Sequence, residues 1–475
     1  MKRESAFAFM AIASQLGLQA QNKAETKPNI IFIFADDMGW GDLSCYGNNI
    51  QTPNLDRLAT RGILFTNFYV AASVSSPSRA GILTGQYPAR NLIFDYISNT
   101  KLNQERGMPD NLNPDLTTLA DLLQADGYVT GHFGKWHLGT TITSGEYGFT
   151  EFRTNNGYSN IQNKEPFRFP VEKRPMSTHD ILNETLEFIK RNKDNPFYVN
   201  AWFIDVHAVL NPNQEQLDSL SNMQHPGIRF NNIRHVYYAA LLEMDRQIGM
   251  FLKSIEELGL DKNTIIIFSA DNGPEDLHLR EAGHSGAGSP GPFRGRKRSI
   301  YDGGMRTPFI VSWPGHIPEA VVNDYSIVGG VDFIPTLCSL TGTKVPKDMK
   351  LDGEDMSKAI LGDLNYQRKN PLFWEWRANV FGHLYNVPPR LAMRDGEWKF
   401  LMNPDGSRKE LYNIVNDPME IDNLADQNPG LVDSYSGTLL EWYKTLPPET
   451  WVHRVSANNK YPWPTTEKLK SMKKD

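Results

Sequence analysis

The pattern of apolar and polar positions divides the chain into two parts. Over the first two thirds, short apolar runs alternate with stretches of helical period. Ile30 to Phe34 is an unbroken apolar run, as expected of a parallel strand covered on both faces. Thr52-Pro53 reads as an N-cap followed by proline at the first helical position, opening a helix through Leu58. Leu116, Leu119, Ala120, Leu122 and Leu123 recur at helical spacing and stop at Gly127. Phe197 to Phe203 is strand-like, and Ile233 to Leu258 is a long helix closed by Gly259 and followed by a strand over Thr264 to Phe268. This alternation predicts an α/β fold, with a large mixed, mostly parallel sheet sandwiched by helices.

Beyond about residue 365 the pattern changes. Arg390 to Asn403 reads as two strands joined at Asp395-Gly396, a hairpin signal. Glu410 to Asn413 extends the sheet, and the helical stretch from Leu431 to Tyr443 has the spacing to pack on it. The expectation is a main domain over 27–364 and a smaller C-terminal α+β domain, built on an antiparallel sheet, over 365–475.

The first 20 residues fit a signal peptide: Lys2 and Arg3, then a mostly apolar run from Ala6 to Leu18, then Leu18-Gln19-Ala20 as a cleavage site. Ser14 and Gln15 interrupt that run, and a plain N-terminal tail fits the same letters. No other apolar run approaches membrane-spanning length. The expectation is an exported protein, periplasmic or secreted, with no membrane span.

Charge narrows the partners. With 49 basic and 55 acidic side chains among 475 residues, the formal net charge is -6. Nothing in that total suggests nucleic acid, so a polyanionic partner has to be met by a local basic cluster. Phe293-Arg294-Gly295-Arg296-Lys297-Arg298 is such a cluster. Cys45 and Cys338 have no zinc-type spacing and read as ordinary thiols.

Three segments carry candidate chemistry. Asp36 and Asp37 directly follow the first buried strand, and Asp271 and Asn272 follow a second apolar strand in the same way. Sites in open parallel sheets gather at the carboxyl ends of strands. Carboxylates with an amide oxygen suit calcium or magnesium better than zinc. Each pair alone also fits a turn cap. The third segment runs from Ser75 to Gly85, where Pro77 favours a helix start and Ile82-Leu83 can pack inward. Ser75 then lies by a helix N-terminus, where free N–H groups favour an anion, and Arg79 adds a guanidinium fork. An ordinary capped helix with a surface Ser and Arg fits the same letters.

The run Ser75-Ser76-Pro77-Ser78-Arg79, followed by Ile82-Leu83 and Thr84-Gly85, resembles the signature of the type I, formylglycine-dependent sulfatases of the alkaline phosphatase superfamily. Further motifs match in order: Asp36-Asp37, Gly134-Lys135-Trp136-His137-Leu138-Gly139, Asp271-Asn272-Gly273, Arg296-Lys297, Tyr301 to Pro308, Glu410 to Asn413, and Asp417-Pro418. The resemblance implies an alkaline-phosphatase-like fold and one Ca2+ per chain, held by Asp36, Asp37, Asp271, Asn272 and the modified Ser75. It implies that Ser75 is oxidised after translation to formylglycine, whose hydrate is the nucleophile. One hydroxyl attacks sulfur and displaces the alcohol; the other collapses to the aldehyde and expels sulfate. A plain serine has no second hydroxyl for that last step. By the same resemblance Arg79, Lys135 and Lys297 neutralise sulfate charge, His137 assists sulfate release and His207 is the general acid. The flank Asp205-Val206-His207-Ala208 departs from the commoner Pro-His form.

The chain is similar to bacterial carbohydrate sulfatases, in particular those of N-acetylgalactosamine and galactose, so a sulfated carbohydrate is the implied substrate. His284, Arg294, Arg296, Arg298, Trp374, Trp376, Arg377 and Arg390 are the candidate sugar-binding residues; a packed core accounts equally for those from Trp374 onward. Many members carry Cys where this chain has Ser75. The serine form fits bacteria with an anaerobic, radical-type sulfatase-maturating enzyme, the implied partner, and an engineered Cys-to-Ser replacement gives the same letter. Two other readings stay open: a phosphonate or phosphodiester hydrolase of the same superfamily, and a sulfated-glycan-binding protein with unmodified Ser75. Thr84-Gly85, at the end of the signature, argues against the first.

Overall fold

The computed structural model describes residues 27–158, 165–221, 232–277, 279, 282–381 and 384–449. The expected signal peptide over residues 1–20 lies outside them. Eight strands form the main sheet: β1 (Asn29–Ala35), β2 (Gly62–Phe65), β3 (Val129–Gly134), β4 (Glu151–Thr154), β5 (Phe197–Trp202), β6 (Thr264–Ala270), β7 (Phe309–Ser312) and β8 (Val321–Asn323). Their order is β4-β3-β5-β1-β6-β7-β2-β8. Only β7 runs against its neighbours, β6 and β2, so the sheet is mixed and mostly parallel, as expected.

Alternation along β1 explains the layers. Ile31, Ile33 and Ala35 face one core with Leu55 and Leu58 of helix α1 (Pro53–Thr60) and with the helices Ser177–Asn192 and Asn232–Glu257. Ile30, Phe32 and Phe34 face the other core. There they meet Ala80, Ile82 and Leu83 of helix α2 (Ser75–Thr84) and the helices Leu119–Ala125 and Phe333–Thr341. Both faces are covered, which is why β1 reads as a continuous apolar run.

Two differences from the sequence pattern have local causes. The helix predicted from Leu116 begins at Leu119, because Thr118 and Asp121 form a reciprocal capping box that fixes its start. Leu116 stays outside the helix and packs against the core. Strand β3 has no apolar run at all: its Thr130, Gly131 and His132 are buried polar or small residues. His132 is held among the rings of Trp136, Phe149 and Trp202, a tertiary context that single-strand periodicity cannot report.

The C-terminal part is a four-stranded antiparallel sheet in chain order: β9 (Leu372–Glu375), β10 (Leu391–Asp395), β11 (Trp398–Met402) and β12 (Glu410–Asn413). The β10–β11 hairpin pairs Asp395 with Trp398, and Gly396 turns it at φ 51°, where glycine meets no Cβ penalty. The helix Pro429–Lys444 packs on this sheet through Tyr435, Leu439 and Trp442. The smaller sheet shares its core with the face of β1 that carries Phe32.

Phe32 is fully buried, with the rings of Phe34, Trp202 and Phe333 around it. Phe32→Ala is expected to cost about 3–5 kcal/mol, read as a lower denaturant midpoint with an unchanged slope.

Candidate active site

Four adjacent strands end at one place. In register, Gly134 of β3 pairs with Trp202 of β5, which pairs with Phe34 of β1, which pairs with Ser269 of β6. Ala35 likewise pairs with Ala270, so Asp36 and Asp271 leave the sheet side by side. That register is the physical content of the repeated strand-then-acid pattern. Lys135 follows β3 through Gly134, whose φ is 108°. A Cβ there would meet the Trp202 carbonyl oxygen at 2.0 Å, so this turn requires glycine.

Helix α2 enters the same place from above the sheet. Ser75 opens it after the extended Val74, and every residue of the helix is buried. Its N-terminal N–H groups therefore point where strands β1 and β6 end. The Ser75 hydroxyl donates to Asp36 Oδ1 at 3.2 Å, and Lys135 Nζ lies 3.1 Å from Ser75 Oγ. Lys135 Nζ also pairs with Asp36 Oδ2 at 2.5 Å.

Each acid in the cluster has a cation. Arg79 Nη2 pairs with Asp271 Oδ2 at 2.8 Å, and Lys297 Nζ pairs with Asp37 Oδ2 at 2.6 Å. The Arg79 guanidinium is fully buried over the rings of Phe34 and Trp202. Its charge thus acts on the site through Asp271, and also through a bond to the Lys135 carbonyl. Asp36, Asp37 and Asp271 are balanced by Arg79, Lys135 and Lys297, as burial of charge requires.

The balance sets the ionisation states. Burial alone raises the Asp36 carboxyl, but Lys135, then His207, Arg79 and Lys297, hold it well below the usual range. Burial, followed by the charge of Asp36, pushes Asp271 up. Burial, then the Lys135 and Arg79 charges, keeps His137 well below the ordinary imidazole range, so His137 is neutral. Burial works against Lys297, yet Asp37 and Glu275 hold its ammonium above the usual range.

His207 lies at the rim, with its side chain 31% exposed. Its Nδ1–H donates to the Ala208 carbonyl at 2.6 Å, leaving Nε2 3.6 Å from Asp37 Oδ2. The loop is tied to β1: Asp36 N donates to the Asp205 carbonyl and Val206 N to the Asp36 carbonyl. The hydroxyls of Ser177 and Thr178 both donate to Asp205 Oδ2.

The donor set fits a hard divalent cation. Ligand atoms of Asp36, Asp37 and His207 lie within 4.8 Å of one another. Asn272 Oδ1 is buried and accepts no hydrogen bond among the described residues, while its Nδ2 donates to Asp37 Oδ1. A buried amide oxygen beside carboxylates is calcium-type chemistry, because zinc favours nitrogen and sulfur. Asp37 and His137 both have left-handed backbones, φ 59° and 56°. Such conformations cost about 1–3 kcal/mol each and cluster at working sites.

The structure thus brings Asp36, Asp37, Ser75, Arg79, Lys135, Asp271, Asn272 and Lys297 into one buried cluster, with His137 and His207 beside it. Most of the expected sugar-binding residues lie outside this cluster. Trp374 is buried, and its indole N–H donates to the Val70 carbonyl. Trp376 is buried against the core. Arg377 and Arg390 both pair with Glu375, and Arg390 also with Glu449. Arg294 is buried over Tyr301 and Tyr385 and donates to the carbonyls of Tyr385 and Glu420. Arg296 donates to the carbonyls of Glu275, Gly286 and Gly288. These six side chains join parts of the protein together. His284 sits half-buried on the short turn Gly283–Ala287, and no hydrogen bond or ion pair among the described residues joins it to the cluster. Arg298 is the exception: it pairs with Glu275, which also holds Lys297.

Sequence reasoning passed over three residues here. Glu275 carries no motif signal beyond following Asp271-Asn272-Gly273-Pro274. His132 donates to the Lys135 carbonyl, and burial pushes its imidazole down to about 3. Asp205 was read only as the flank of His207.

Known proteins resemble this chain in sequence and in fold. The sulfatase family profile matches residues 28–343, and that of the N-sulphoglucosamine sulphohydrolase C-terminal region matches residues 293–432. Arylsulfatase A of Homo sapiens is 32% identical over 433 residues, spanning 82% of this chain and 78% of that protein. N-acetylgalactosamine-6-sulfatase of Rattus norvegicus is 34% identical over 403 residues, spanning 78% of this chain and 72% of that protein. The crystal structure of Ps i-CgsB in complex with k-i-k-neocarrahexaose superposes with a TM-score of 0.75 at 26% identity, covering 92% of this chain and 98% of that one. The chain belongs to the sulfatase family and is a sulfuric ester hydrolase.

Proposed function

We propose that the protein removes sulfate from carbohydrate sulfate esters, at a galactose or N-acetylgalactosamine unit, using a matured Ser75 and a calcium ion. The observation that carries the reading is the position of Ser75 Oγ. It stands at the N-terminus of a fully buried helix, 3.2 Å from Asp36 and 3.1 Å from Lys135, inside a charge-balanced cluster. The relatives named for N-acetylgalactosamine-6-sulfate and the structure holding neocarrahexaose support the sugar class.

Asp36, Asp37, Asp271 and Asn272 would hold the calcium, together with the matured Ser75 side chain. Bound there, the ion supplies positive charge that polarises the sulfate oxygens and stabilises an ionised nucleophile. Formylglycine at Ser75, as its hydrate, supplies one hydroxyl for attack and a second to expel sulfate. The remaining roles belong to ordinary side chains. The three acids and three cations of the cluster balance, so a divalent cation held there would add net positive charge facing an anionic ester. Lys135 and Lys297 hold the sulfate oxygens, and the N-terminus of α2 adds its dipole. His137, kept neutral by its surroundings, takes a proton from the nucleophile as sulfate leaves. His207 presents Nε2 at the rim because Nδ1 is committed to Ala208, and Nε2 delivers the proton to the departing sugar oxygen. Maturation falls to an anaerobic, radical-type enzyme, which removes two hydrogens from the Ser75 side chain and passes the electrons to its own oxidised cofactor. Export to the periplasm or medium places the enzyme with its substrate.

Four measurements test this. After co-expression with an anaerobic maturase, mass spectrometry of the Ser75 peptide should show loss of two hydrogens. The matured protein should then release sulfate from galactose or N-acetylgalactosamine sulfates, and none of the phosphate esters assayed in parallel should match that rate. Ser75→Ala should abolish turnover with an unchanged melting temperature; turnover by that variant would remove Ser75 from the mechanism. Titration calorimetry on chelator-treated protein should show calcium binding, weakened at least about tenfold by Asp271→Ala. Unchanged affinity in that variant would remove Asp271 from the ion's shell.

A further inference from the structure

Arg296, Lys297 and Arg298 are consecutive, and all three are bound to one acidic residue. Arg296 Nε donates to the Glu275 carbonyl at 2.8 Å. Lys297 Nζ lies 3.3 Å from Glu275 Oε2, and Arg298 Nη1 lies 2.5 Å from Glu275 Oε1. Glu275 is only 4% exposed, so it meets these charges out of water. Burial would raise its carboxyl, but Lys297, then Arg298, bring it down to about 2. Glu275 is therefore ionised near neutral pH.

Lys297 is held from two sides. Its Nζ is 2.6 Å from Asp37 Oδ2 and 3.3 Å from Glu275 Oε2. Asp37 belongs to the proposed calcium shell; Glu275 does not. An ammonium and a divalent cation compete for the same carboxylate, and at close range the repulsion between them is large. A buried ammonium displaced from Asp37 needs another anion. Glu275 is already in place to take it, which keeps Lys297 near the sulfate position while Asp37 turns to the ion.

We propose that Glu275 is a positioning residue that shares Lys297 with Asp37, frees Asp37 for the cation and limits how tightly the site holds sulfate. This rests on the calcium and sulfate reading above. Removing the Glu275 charge has opposite effects on the two ligands. Lys297 and Arg298 lose their common partner, Lys297 turns wholly to Asp37, and the site gains one net positive charge. Cation binding weakens and anion binding strengthens. Loss of a merely structural residue weakens both.

The test uses the full chain with Ser75 unmodified, so that no turnover intervenes. Calorimetry would measure calcium binding to chelator-treated protein and inorganic sulfate binding to calcium-saturated protein, for wild type, Glu275→Gln and Glu275→Asp. For Glu275→Gln the calcium Kd should rise about tenfold and the sulfate Kd should fall by a similar factor. Glu275→Asp, which keeps the charge, should move both values back toward wild type. A Glu275→Gln protein in which both ligands bind more weakly, or neither changes, would overturn the proposal. If Glu275→Gln does not fold, a Glu275→Asp protein that shifts both constants in the same direction would overturn it equally. Wild-type protein that binds no calcium would instead overturn the calcium reading itself.

Discussion

The cost of burying charge unpaired is the constraint on which this structure turns. Asp36, Asp37 and Asp271 sit where four adjacent strands end, out of water, and each is met by Lys135, Lys297 or Arg79. Unpaired, any one of these groups would cost several kcal/mol. Paired, they form a cluster in which three acids and three cations balance. The same economy extends outward through Glu275, which keeps Lys297 and Arg298 satisfied just beyond the cluster.

The fold exists to keep that cluster in register. Parallel pairing places Asp36 beside Asp271, Gly134 turns Lys135 in past the Trp202 carbonyl, and α2 delivers Ser75 from above. Aromatic rings hold the frame: Arg79 lies over Phe34 and Trp202, and Trp202 also abuts His132, which bonds the Lys135 backbone. The C-terminal sheet contributes by locking the loop that carries Lys297. Arg294 of that loop donates to the Tyr385 and Glu420 carbonyls, and Lys399 of β11 pairs with Asp302 and Glu420.

What the sequence made legible follows from this division of labour. Strands covered on both faces, β1 and β6, show as continuous apolar runs, and the C-terminal hairpin shows through its glycine turn. Strand β3 does not, because its interior is His132 and Gly131, packed among rings that include Phe149, Phe188 and Trp202 from other segments. The cluster residues were legible because strand-end acids and a helix-start serine recur in a recognisable order. The sugar-binding candidates rest on residue type rather than on order along the chain. Trp374, Trp376, Arg377 and Arg390 carry residue types common in glycan sites, but burial decides their role, and an arginine paired with Glu375 looks the same in sequence as one facing a sugar. Glu275 was missed for the converse reason: its importance lies wholly in which cations fold back onto it.

A crystal structure of the protein grown with calcium would show whether the buried acids hold the ion. The account predicts an ion bound by oxygens of Asp36, Asp37, Asp271 and Asn272 at about 2.3–2.6 Å, with Lys297 moved from Asp37 toward Glu275. Calcium-saturated crystals in which those carboxylates still pair only with Lys135, Lys297 and Arg79, and no ion lies among them, would contradict it.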